Sequence, residues 1–335
     1  MPRLTCSALL AVVAAVVCAL PAQAAVTKKT YMRLGEPMDA SATATAGTVL
    51  MGGSTDVDAA FKWLCDRAPG GDFLVVRAAG TDAYNPYVKD LCPGLNSVAT
   101  LIIGSAKFAA DPDVRRIIGE AEIVWIAGGD QSDYIKDWTG TPVQDALNQH
   151  IAAQRPIGGT SAGLAVLTQF VYSALGSKGI TSAQALADPY NRYNTFARDF
   201  LYHPQLLGAI ADTHFSGRDR MGRTLSFLCR LHADSWSAAP RAIAVSEETA
   251  VLVDDKGIGE VVGLNKAYFI TAPGAPQECS PGLPLTYRNV SVQSVGDGQT
   301  FDVAGWQGTN DTPQPYTVTA EAGVVTSTQA GGSLY

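Results

Sequence analysis

A chain of 335 residues with a formal net charge of −7, 47% hydrophobic and 16% charged residues, 33 glycines and 18 prolines has the balance of a packed, loop-rich α/β protein. That composition excludes a disordered chain, a coiled coil and a collagen. The acidic balance argues against a general binder of nucleic acid or anionic membrane, which should be basic.

The first 24 residues read as an export leader: Arg3 supplies a short positive region, Ala8 to Leu20 an apolar stretch too short to span a bilayer, and Ala22-Gln23-Ala24 a small-x-small cleavage site. Val17 stands where a lipid-attachment site at Cys18 would need a small residue, so the expectation is a secreted or periplasmic protein without an anchor. Four cysteines follow the leader: Cys65, Cys92, Cys229 and Cys279. An even number in an oxidising compartment, with no C-x-x-C spacing, points to disulfides and not to zinc. Nearness along the chain favours Cys65 with Cys92 and Cys229 with Cys279.

From Thr48 the chain alternates short apolar runs with helical patterns. Val49-Leu50-Met51 ends at Gly52-Gly53, and Val57, Ala60, Phe61 and Leu64 then recur at helical spacing. Apolar runs follow at Phe73 to Val76, Thr100 to Ile103 and Ile123 to Ile126. A helical pattern through Val143, Ala146, Leu147 and Ile151 then leads to Pro156-Ile157. Runs apolar on both faces and separated by helices describe a doubly wound, mostly parallel sheet with helices on both faces, whose ligand site lies beyond the carboxyl ends of the strands. Two such ends are rich in glycine: Ala127-Gly128-Gly129-Asp130-Gln131 and Gly158-Gly159-Thr160-Ser161-Ala162-Gly163.

The second of these contains G-x-S-x-G, the pattern of a serine on a tight strand-to-helix turn, with the Ala162 amide placed to serve a reacting carbonyl. A helix-capping serine in an ordinary turn explains the same residues. The serine needs a base, and four histidines are present: His150, His203, His214 and His232. His150 and His232 lie in amphipathic helices where surface or capping roles suffice, and His203 precedes Pro204 in a loop. His214 ends an apolar stretch in a small polar cluster, Asp212-Thr213-His214-Phe215, and is the strongest single candidate. Arg218, Arg220 and Arg223 follow within six residues of an acidic chain. They suit either a substrate carboxylate or a solvated helix start. Ile243 to Val253 reads as two strands meeting at a polar turn, where Glu247 or Glu248 would orient an imidazole or simply be exposed on a hairpin. After Pro273 the texture turns to alternating strands, at Leu285 to Val292, Phe301 to Val303 and Tyr316 to Thr319. The expected organisation is a leader over 1–24, a catalytic domain over 25–275 and a small β-rich C-terminal extension over 276–335.

The combination of the two glycine-rich turns, Asp212-Thr213-His214-Phe215 with Arg218, Arg220 and Arg223, and Ser246-Glu247-Glu248-Thr249-Ala250 resembles the cyanophycinase branch of the S51 serine peptidases over Val49 to Ala272. The resemblance implies Ser161 as nucleophile, His214 as general base and Glu247 as the third member of a triad. It implies Gln131, Asp212, Arg218, Arg220 and Arg223 as substrate-pocket positions, and a fold related to class I glutamine amidotransferases. An amide from Gly129 or Asp130 would join that of Ala162 in an oxyanion hole. Ser246 departs from the Asp that is frequent before the triad glutamate, and the leader, the cysteines and the β-rich tail are not features of the intracellular enzymes.

The resulting expectation is a secreted serine exopeptidase acting next to aspartyl residues, of the β-aspartyl kind found in cyanophycin, with no metal or organic cofactor. Its partner would be a peptide substrate carrying an aspartyl carboxylate. Neither nucleic acid nor, after leader removal, membrane is expected, and a homodimer is left open. Two other readings stand beside it. An α/β-hydrolase esterase would pair Asp212 with His232, and a binding protein on an inactive hydrolase fold would use the arginines to grip an acidic ligand.

Overall fold

The computed structural model of the protein describes residues 30–335, so the expected leader lies outside the described residues. The expected α/β architecture is present, built on two large sheets. Five parallel strands form the middle of the first, in spatial order Ser97–Ile102, Asp72–Arg77, Ile123–Ile126, Ile157–Thr160 and Thr48–Met51. Thr30–Gly35 closes one edge antiparallel. Beyond Thr48–Met51 the sheet continues antiparallel through Thr249–Val253, Ile258–Gly263, Thr300–Asp302 and Gln307–Gly308.

The apolar runs are strands because each is buried on both faces, and the alternation of side chains sorts them into two cores. Val49, Met51, Phe73, Val75, Ile123 and Trp125 point to one, packed with Phe61 and Leu64 of the helix Asp58–Cys65. Leu50, Leu74, Val76, Val124 and Ile126 point to the other, with Trp138, Leu147 and Ile151 from the helices Gln131–Trp138 and Pro142–Ala152.

The second sheet runs Val324–Ser327, Tyr316–Glu321, Tyr287–Val295, Ala267–Thr271, Arg241–Val245, Ala209–Asp212, Phe170–Tyr172 and Phe196–Arg198. Its outer face carries the helix Met221–Ala233 on a third apolar cluster. Its inner face shares a core with the first sheet, where Ile243, Val245 and Phe269 meet Val251, Val253 and Phe301. The Phe269 and Phe301 rings stack across this junction at 3.9 Å. The strands after residue 285 are woven into both sheets. Tyr287–Val295 pairs with Ala267–Thr271, and Thr300–Asp302 with Ile258–Gly263.

One local expectation changes. The runs on either side of Glu247 are not a hairpin: Arg241–Val245 belongs to the second sheet and Thr249–Val253 to the first, so the turn between them crosses from sheet to sheet. Cys65 pairs with Cys92 and Cys229 with Cys279, with α-carbons 6.3 and 6.1 Å apart. No helix among the described residues is long and apolar enough to cross a membrane.

Gly158, in the strand that leads to Ser161, lies under Trp125. A β-carbon there would stand 2.5 Å from the indole ring and 3.0 Å from Val49. Gly158→Ala is expected to lower stability by about 1–3 kcal/mol through overpacking, read as a shifted urea midpoint. An unchanged midpoint would show that Trp125 gives way at no cost.

Candidate active site

Ser161, His214 and Glu247 come from three separate places and meet where the two sheets touch. Ser161 follows the strand Ile157–Thr160 of the first sheet with φ 53° and ψ −114°, and precedes the single helical turn Ala162–Ala165. This is the sharp elbow that exposes a serine hydroxyl. His214 lies just beyond the strand Ala209–Asp212 of the second sheet, also in the left-handed region at φ 47°. Glu247 sits in the turn that crosses between the sheets.

Backbone hydrogen bonds lock the three together. The Ser161 amide donates to Met51 O at 3.0 Å, His214 to Gly52 O at 2.9 Å, Glu248 to Gly53 O at 3.0 Å and Phe215 to Val245 O at 3.2 Å. The crossing turn is held from inside, since Thr249 Oγ1 and Asn265 Nδ2 donate to Glu247 O at 3.0 and 2.9 Å. Gly53, at φ 107°, floors the junction. A β-carbon there would lie 2.5 Å from His214 Cε1 and 3.1 Å from Ser161 Cβ, so no larger residue fits.

The side chains form a continuous relay. Ser161 Oγ is 2.8 Å from His214 Nε2, and His214 Nδ1 is 2.6 Å from Glu247 Oε1. A carboxylate only accepts, so Nδ1 carries the proton and Nε2 is left to accept from the serine hydroxyl. Burial pulls the His214 pKa below its ordinary value. Arg218 and Arg220 pull the same way, and the hydrogen bond to Glu247 opposes them. The imidazole is thus kept neutral, in the form that can take a proton. Glu248 occupies the next position of the turn at φ 54°, and among the described residues the carboxylate hydrogen-bonded to His214 is that of Glu247.

The Ala162 amide begins a helical turn and has no acceptor within it. The other glycine-rich loop flanks Ser161: a β-carbon at Gly128 would stand 3.5 Å from Ser161 Cβ. Gly129 lies against the Tyr134 hydroxyl, and Asp130 caps the helix Gln131–Trp138 by accepting from Ser132 N at 2.9 Å. Gln131 Nε2 donates to Tyr172 O at 3.2 Å, tying this loop to the second sheet.

The arginines separate into three environments. Arg218 is half exposed, with Nε 3.6 Å from Glu247 Oε1. Arg220 is largely buried, and its Nη1 donates to Thr213 O at 2.7 Å and lies 3.6 Å from Asp212 Oδ1. Burial, with Arg223 and Arg218 nearby, lowers Arg220 to about 10 against the pull of Asp212, which leaves it charged at neutral pH. Arg223 is buried and makes a bidentate pair with Asp212: Nε donates to Oδ2 at 2.9 Å and Nη2 to Oδ1. Thr224 Oγ1 donates to the same carboxylate at 2.7 Å, and Arg223 lies over the Tyr172 ring. Burial alone would raise the Asp212 pKa, but Arg223, Arg220 and Thr224 together hold it below the usual carboxylate value. Asp212 and Arg223, expected at substrate-pocket positions, are buried and paired with each other.

The remaining histidines lie elsewhere. His150, expected at a helix surface, is buried with Nε2 3.0 Å from Pro156 O, and burial pulls it to about 4. His203 is buried against Thr48 Oγ1 at 2.7 Å. His232 ends the helix Met221–Ala233, while Ser161 faces His214. Sequence reasoning missed Gly53, Asn265 and the use of Ser246, whose hydroxyl is 2.8 Å from that of Ser216. Gly52-Gly53 at the end of an apolar run was the available signal for the first. Among the described residues no group of three or more His, Cys, Asp or Glu is gathered so as to hold a metal ion.

Residues 49–261 match the model of peptidase family S51. The cyanophycinases of Trichormus variabilis and of a Nostoc species are each 26% identical over 213 residues, which is 62% of this chain and 66% of theirs. The matched stretch therefore spans just under two thirds of those relatives' length. A peptidase from an acI-B1 actinobacterium shares the fold, with a TM-score of 0.52 at 15% identity over 78% of this chain and 98% of that one.

Two outcomes follow from the electrostatics. Hydrolysis that uses His214 as base needs the neutral imidazole, so the acid limb of kcat/KM should lie below the ordinary histidine value of 6.5. Glu247→Gln removes the partner that favours the cation, so that limb should move lower still while kcat falls about 10²–10⁴-fold. A limb above 6.5 in the parent would contradict this site. Asp212→Asn leaves Arg223 buried and unpaired and is expected to cost about 3–5 kcal/mol in urea unfolding. A loss below about 1 kcal/mol would show that the pair is not a structural anchor.

Proposed function

Since this chain belongs to peptidase family S51, we propose that it is an exported serine exopeptidase that hydrolyses aspartyl bonds, of the β-aspartyl type that cyanophycin contains. The observation that carries the proposal is the Ser161–His214–Glu247 relay with two charged guanidiniums at its edge. Ser161 attacks the amide carbonyl as His214 takes its proton. His214 then returns that proton to the leaving amine, and the acyl-enzyme is released by a water that His214 activates in turn. The Ala162 amide and the Gly128–Asp130 loop flank the position of the oxyanion.

Arg220 is the residue we assign to the substrate carboxylate. Only its Nη1 is engaged in a hydrogen bond among the described residues, so the Nε–Nη2 edge, the fork that meets both oxygens of a carboxylate, is free. Arg218 adds positive charge at the mouth, whereas Asp212 and Arg223 support Arg220 from behind. The two disulfides support export into an oxidising compartment, in agreement with the leader-like residues 1–24.

The test is hydrolysis of paired α- and β-aspartyl dipeptides, and of cyanophycin, by the purified protein. Ser161→Ala should abolish turnover with an unchanged melting temperature, and retained turnover would remove the covalent mechanism. Arg220→Gln should lower kcat/KM for aspartyl substrates about 10²-fold or more while sparing a neutral ester. Equal losses on both would remove the carboxylate assignment.

A further inference from the structure

The segment that carries Arg218 and Arg220 is held by a residue far outside the family match. Tyr335 lies 74 positions beyond residue 261, where that match ends. Its hydroxyl donates to Asp219 Oδ1 at 2.9 Å and accepts from the Met221 amide at 3.0 Å. Its ring packs edge-on against Phe215, the neighbour of His214, at 5.4 Å and against Tyr268 at 6.1 Å. The tail is itself pinned to the second sheet, since Tyr316 Oη donates to Leu334 O at 2.9 Å.

Both partners of that hydroxyl are groups that local sequence leaves incompletely satisfied. Met221 is the first residue of the helix Met221–Ala233, so its amide has no intrahelical acceptor, and the N-cap position is Arg220, which makes no capping bond. Asp219 stands between the two arginines in the left-handed region at φ 48°, a conformation that persists only where its surroundings hold it. Three contacts do so: the Asp219 amide donates to Ser216 O at 3.1 Å, Ser182 Oγ donates to its carbonyl, and Tyr335 donates to its carboxylate. Burial and the adjacent carboxylate keep the phenol protonated, as a donor to Asp219 must be.

We propose that Tyr335 is a positioning residue for substrate recognition: by clamping Asp219 and the Met221 amide it sets the backbone from which Arg218 and Arg220 present their guanidiniums to the substrate carboxylate. This rests on the assignment of Arg220 to that carboxylate.

The experiment uses the full chain with Tyr335→Phe, which keeps the ring against Phe215 and Tyr268 and removes only the hydroxyl. Three quantities are read: KM and kcat on a β-aspartyl dipeptide, the rate at which a neutral fluorophosphonate labels Ser161, and the melting temperature. The expected result is a KM raised about tenfold, kcat within twofold and labelling unchanged, because the relay does not pass through Tyr335. Combining the change with Arg220→Gln should add less than twofold to the loss from Arg220→Gln alone, since both act on one contact. An unchanged KM in Tyr335→Phe, beside a raised KM in Arg220→Gln, would overturn the proposal. So would a fall in labelling rate and melting temperature parallel to the loss of turnover, which marks a structural role alone. An unchanged KM in Arg220→Gln would instead remove the carboxylate assignment, and this proposal with it.

Discussion

The site depends on the contact between the ends of two sheets, because its serine belongs to one and its histidine to the other. A relay with hydrogen bonds of 2.8 and 2.6 Å tolerates little misplacement, and side-chain packing alone would not supply that precision. The backbone supplies it: successive carbonyls of Met51, Gly52 and Gly53 accept from Ser161, His214 and Glu248, so one short stretch of chain registers all three segments. The cost shows in the dihedrals. Ser161, His214 and Glu248 all sit at positive φ beside Gly53, and a non-glycine residue there is strained by about 1–3 kcal/mol. Such a cluster persists because the surrounding strands over-determine it.

Electrostatics at this junction is sorted by depth. The deepest cation, Arg223, is neutralised by Asp212, as burial demands of any charge. Arg220, one helical turn nearer the surface, shares that carboxylate only at 3.6 Å, and Arg218 is half exposed. Arg218 and Arg220 therefore lie beside the relay, where their charge lowers the basicity of His214. On the function proposed, a substrate carboxylate would offset those same arginines and so make His214 a stronger base in the complex than in the free enzyme.

Much of this was legible in the sequence, and what was not shares a cause. Parallel strands buried on both faces appear as unbroken apolar runs, and the serine elbow and the polar cluster around His214 are local patterns. Sheet membership is not local: nothing in Ile243 to Val253 shows that its two strands pair with Ala209–Asp212 in one sheet and Thr48–Met51 in the other. Charge partners are not local either. Arg218, Arg220 and Arg223 look equivalent as a string, and only the fold reveals that Asp212 pairs bidentately with one of them. Glu247 was separable from Glu248 by resemblance but not by period, because both lie in a turn where the alternation of a strand does not apply.

The strands after residue 285 also change meaning in the fold. As sequence they suggest an appendage, yet they extend both sheets and the chain after them ends against Asp219 and Met221. A helix whose N-cap position is occupied by an arginine cannot be capped by that side chain in the usual way, since the residue types that cap well are short oxygen-bearing ones and an arginine has no acceptor to offer. The orphan amide at Met221 therefore requires an acceptor from elsewhere, and Tyr335 provides one without adding a further carboxylate to those of Asp212 and Asp219. A further Asp or Glu would cap equally well but, on the function proposed, would compete with the substrate for the guanidinium. On the function proposed, a neutral phenol satisfies the amide and adds no competitor for the charge of Arg220.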